Sequence, residues 1–148
     1  MNDDQFLAAF EARTLDEFHH RDHIKVAYLY LRRYPLEDAI TKVRTGLQAL
    51  AVAWGAPVDD LEKGYHETVT QAWVRLVDRA LSDAGAAESA DAFCDQQPKL
   101  MEKHIYISII RVSALPSGRR SGSSSNQIWP LLHDYFTASA QHRSRPFR

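Results

Sequence analysis

Seven histidines, at positions 19, 20, 23, 66, 104, 133 and 142, are the residues best suited to chemistry near neutral pH. His20 and His23 are three residues apart, so on a helix their rings meet over one patch. At about 100° per residue, His20 falls at the centre of the face defined by Ile24, Ala27, Leu31 and Tyr34, with His23 about 60° to one side. His19 points about 100° away and reads as a surface residue. Val69, Trp73, Leu76, Val77 and Ala80 define a second apolar face, and His66 lies within about 20° of Trp73 on it, while Glu67 points well off it.

Imidazoles at core positions need partners, because burying a polar group without one costs about 1–3 kcal/mol. Three answers remain open. His20, His23 and His66 can bind a metal, with His104 or Asp16 completing the shell. Neutral imidazole suits zinc and iron, and three histidines with an open fourth position make a catalytic rather than a structural zinc site. They can instead line a metal-free pocket and act as general acid and base, with Tyr28, Tyr65, Thr70 and Trp73 around a small polar or aromatic substrate. Or they are core histidines bonded to a hydroxyl, a carboxylate or a backbone carbonyl, with no further role.

The elements that must bring these residues together read as helices. Thr14 followed by Glu17 has capping-box spacing, which predicts a helix over about 15–33 that stops before Pro35. Leu36, Ile40, Val43, Leu47, Leu50 and Trp54 recur at helical spacing up to Gly55, and Trp54 is expected in the core. A third helix is expected from about 61–65 to 84, a short fourth over about 90–96 with Ser89 as its cap, and a fifth over about 99–113 opened by Pro98. Residues 104–112 are rich in β-branched side chains and are the one segment that a strand also suits. Short connections favour antiparallel neighbours. The expected fold is therefore all-α, an up-down bundle of four to five helices over 1–114, followed by a flexible Ser/Gly/Arg-rich linker and tail over 115–148. In that arrangement His20, His66 and His104 share one end of the core.

Composition bounds the alternatives. The chain has 148 residues, 45% of them hydrophobic and 25% charged, ordinary for a globular domain. No apolar run approaches a membrane span, and the acidic start lacks the basic and apolar stretches of a signal peptide. A single cysteine, Cys94, forms no intrachain disulfide and has no evident activating base, so a cytoplasmic setting and an apolar packing role are expected. The net charge of −1 conceals an acidic body and a tail with five arginines against Asp134, so nucleic acid is not an expected partner. Neither GxSxG nor a glycine-rich phosphate loop occurs.

Two segments together, Phe18-His19-His20-Arg21-Asp22-His23 and Tyr65-His66-Glu67-Thr68-Val69-Thr70, resemble a family of small bacterial helical proteins with an F-x-H-x-x-H motif on one helix and Y-H-E-T-x-T on another. The resemblance spans roughly residues 15–112, and the Ser-rich tail has no counterpart in it. It implies a site at His20, His23, Tyr65, His66, Glu67, Thr68 and Thr70, and no particular reaction. The expectation is a small-molecule enzyme using His20, His23, Tyr65, His66, Glu67 and Thr70, with zinc or iron on His20, His23, His66 and His104 or with no cofactor. The alternative is a non-catalytic helical binding or interaction module, for which a homodimer is compatible.

Overall fold

The computed structural model describes residues 1–55 and 67–102. Their regular structure is entirely helical: α1 (Asp3–Ala12), α2 (His20–Leu31), α3 (Leu36–Ala53), α4 (Glu67–Ala84), α5 (Ala90–Gln96) and a 3-10 turn (Pro98–Met101). The all-α bundle is thus present, with a helix at its N-terminus beyond those expected.

That helix, α1, is capped reciprocally by Asn2 and Gln5: Gln5 N donates to Asn2 Oδ1 at 2.8 Å and Asn2 N donates to Gln5 Oε1 at 3.0 Å. Arg13 closes it in the left-handed region at φ 61°. Thr14 therefore belongs to this ending, its hydroxyl turned to the Ala9 carbonyl at 3.4 Å, and does not open the next helix. Instead α2 starts at His20, where His19 N donates to Asp22 Oδ2 at 2.8 Å. The helix expected over 15–33 is correspondingly shorter at its beginning.

Partner contacts set the directions. Tyr28, late in α2, meets Ala87 just past α4, whereas His20, at the start of α2, meets Trp73 early in α4, so these helices run parallel. Glu37 pairs with Arg75 and Arg44 with Glu67, so α3 and α4 are antiparallel. Along α2, Lys25 holds Asp91, Arg21 holds Asp91 and Asp95, and His20 reaches Leu100, so α5 runs back down it. This is the up-down-up order with a return helix. Each of the other helices packs against α2. Six of its twelve residues are consequently buried, Ile24 and Val26 through Tyr30, all around the axis and not on one stripe. Leu31 is half-buried and Tyr34 exposed, so the single apolar face expected for this helix is too narrow a description.

Close approach at Gly46 docks α1 against α3. A Cβ there would stand 2.3 Å from Phe10 Cε1 and 2.5 Å from Cζ, so the fully buried Phe10 ring occupies the space a side chain would need. Ser89 caps α5 by accepting from Ala92 N at 3.1 Å, over the expected 90–96. Pro98 opens only the 3-10 turn, and Glu102 is extended at φ −75°, ψ 117°, so a continuous helix from 99 to 113 does not form. Trp54 is 46% exposed at the end of α3 and is not a core residue. The expected start of the third helix at 61–65, His104, the helix-or-strand segment 104–112 and the tail at 115–148 lie outside the described residues.

Candidate functional site

His20 and His23 both occupy the beginning of α2, which Asp22 fixes through the His19 amide. Both are half-buried. His20 Nε2 lies 2.7 Å from the Leu100 carbonyl oxygen. A carbonyl only accepts, so Nε2 carries a proton, and in the neutral form of this ring the lone pair is on Nδ1. The ring also meets Trp73 edge to face, with centroids 4.6 Å apart and planes at 62°. Two helices and the 3-10 turn therefore fix this imidazole in one tautomer and one orientation. Metal-bound and general-base histidines are held in the same way, by a carbonyl or carboxylate on the other ring nitrogen.

His23 is held from the opposite side. Phe18 stands edge-on to it at 4.7 Å and 75°. Burial disfavours its charged form, and His20 nearby adds to the effect, so its pKa falls from 6.5 to about 4. Part of the His23 surface reaches solvent, yet the dense surroundings of the ring dominate, and at neutral pH it is an uncharged imidazole. That is the form in which histidine binds a metal or accepts a hydrogen bond.

From α4, Trp73 is 5% exposed and Thr70 is 7% exposed. Trp73 Nε1 is buried and has no hydrogen-bond partner among the described residues. Glu67 faces another way. Its Oε1 accepts from Gln71 Nε2 at 2.6 Å and from Arg44 Nη1 at 3.3 Å, which ties it to α3. Six residues separate it from Trp73, about 120° around the helix, as expected for a residue off the apolar face.

Other proposed participants separate from the pair. Tyr28 is fully buried, its hydroxyl donating to Ala87 O at 3.0 Å and accepting from Ala87 N at 3.1 Å, with its ring stacked on Phe93 at 4.4 Å. It lies eight residues along α2 from His20, about 12 Å, and is a structural anchor, not a pocket residue. Asp16 and His19 are exposed, and His19 pairs with Glu17 at 3.1 Å. Cys94 is buried on α5, where burial raises its thiol to about 11, consistent with apolar packing. Tyr65, His66 and His104 lie outside the described residues. Among the described residues no group of three or more His, Cys, Asp or Glu comes together that would hold a metal. The residue that sequence reasoning missed is Leu100, whose contribution is a backbone carbonyl and so carries no side-chain signal. No family model, curated protein or solved structure matches the chain.

Proposed function

We propose that the start of α2 and the start of α4 form the binding site of an enzyme acting on a small molecule, with His20 and His23 as its central groups. The observation that carries the proposal is the fixed imidazole of His20, with Nε2–H on Leu100 and its lone pair left on Nδ1. With Nε2–H engaged in this way, Nδ1 is the atom through which the ring would bind a metal or take a proton. Neutral His23 lies three residues on, and Trp73, whose ring meets His20, has a buried Nε1–H with no partner among the described residues, with buried Thr70 three residues before it in α4.

Two chemistries fit this proposal. In the first, His20, His23, His66 and His104 hold zinc or iron, which would polarise a substrate or activate water. In the second, no metal is involved and His20 takes a proton at Nδ1, with Tyr65, His66 or Thr70 orienting the substrate. Zinc(II) titration by calorimetry separates them: micromolar or tighter binding that is lost in both His20→Ala and His23→Ala supports the metal form, and no binding leaves the proton-transfer form. If both variants also leave binding across a small-molecule library unchanged while the fold persists, the proposal fails. The second reading, a non-catalytic interaction module, is favoured by the exposure of Val52 and Trp54 at the end of α3. Light scattering tests it, because a strictly monomeric protein removes its homodimeric form.

A further inference from the structure

His23 is contacted by a residue that no helix holds. Phe18 lies in the irregular stretch between α1 and α2, so regular backbone hydrogen bonding does not fix it. What touches it instead is Phe10 of α1, stacked at 5.5 Å with planes at 23°. Phe10 in turn is seated on Gly46 of α3 with no exposed surface, and packs edge-on against Tyr30 at 6.5 Å. A continuous row of contacts thus runs from a notch in α3, through two phenyl rings, to an imidazole. His20 is held independently, by Leu100 and Trp73 on other elements.

We infer that α1 is the positioning element of the site: Phe10, seated on Gly46, holds Phe18, and Phe18 sets the orientation of the His23 ring. Interiors packed at crystal-like density transmit such displacements instead of absorbing them. The relevance to ligand binding rests on the function proposed above, but the mechanical link does not. Phe10 and Gly46 are positioning residues. The consequence is that a terminal helix remote from the histidines governs one of them and spares the other.

The test uses the full chain, free of metal, at about pH 7.5, where neutral His23 does not titrate. Imidazole carbon–proton correlation spectra are recorded for wild type, Phe10→Leu and Gly46→Ala, followed by zinc(II) titration. In Phe10→Leu the His23 signals should shift and broaden while those of His20 stay in place. Gly46→Ala should do the same by pushing on the Phe10 ring. If Gly46→Ala fails to fold, the double variant Gly46→Ala/Phe10→Leu replaces it, because leucine ends near the position of Phe10 Cδ1, 3.5 Å from the added methyl. Its His23 signals should remain displaced, since the stacking ring is absent. Zinc affinity, where wild type binds zinc, should fall about tenfold or more, as for loss of a residue supporting a ligand. Unchanged His23 signals in folded Phe10→Leu overturn the inference and leave α1 as packing alone. Displaced His23 signals in a protein that does not bind zinc uphold it and remove only the metal form of the function.

Discussion

Acidification should destabilise this protein through one histidine, by an amount the structure sets. His23 ionises at about 4 in the folded chain, against 6.5 for an unperturbed histidine. Above pH 6.5 neither state protonates it, and it makes no difference. Between 6.5 and 4 the unfolded chain takes up a proton that the folded chain refuses, so stability falls as pH falls. At about pH 4.5 the full difference comes to about 2.5 kcal/mol. Partial exposure of the ring screens it, which brings the expected loss to roughly 1.5–2.5 kcal/mol. The assay is urea unfolding of metal-free protein, followed by far-ultraviolet circular dichroism, at about pH 7.5 and about pH 4.5. The comparison is with His23→Gln, which lacks the titrating group but keeps every carboxylate. Wild type should lose roughly 1.5–2.5 kcal/mol more than the variant between the two pH values. Equal losses would refute the reasoning, because they would mean that the ring is solvated in the native state.

Three further outcomes are expected. Gly46→Ala should destabilise by about 1–3 kcal/mol in urea unfolding, since the new methyl meets the Phe10 ring in a packed core; no loss would mean that Phe10 does not fill the notch. Tyr28→Phe should cost about 1–3 kcal/mol in the same measurement, because Ala87 loses partners for both its N–H and its carbonyl. Cys94, with its thiol raised to about 11, should resist iodoacetamide at about pH 8 in the native protein and react in urea, as mass spectrometry would read.

Some of this was legible in the residues. The stripe from Leu36 to Leu50 defines α3, and Ser89 before Ala90–Gln96 defines α5, because both depend on local periodicity and a cap. The helix α1 had the same signals, Asn2 three residues before Gln5 and apolar Phe6, Leu7 and Phe10, in a stretch otherwise read for its charge. Thr14 and Glu17 imitate a helix start, but Thr14 bonds back to the end of α1, and the true start is pinned by Asp22. Pro98 does begin a turn, though sequence pattern cannot tell one 3-10 turn from the first turn of a long helix. At the site, helical phase put His20 and Trp73 on the apolar faces of their own helices, and the two rings meet where those helices pack. The Leu100 carbonyl that fixes its tautomer could not be foreseen, being a backbone atom eighty residues away. Tyr28 shares the helix with His20 but bonds at its other end, which phase alone does not distinguish.

The state of the His20 ring is the point on which the functional account turns. A long-range proton–nitrogen correlation spectrum of the imidazoles at neutral pH reads it directly. For the neutral ring of His20 the account predicts a protonated Nε2 and a bare Nδ1. A proton on Nδ1, or fast exchange between both nitrogens, would contradict it.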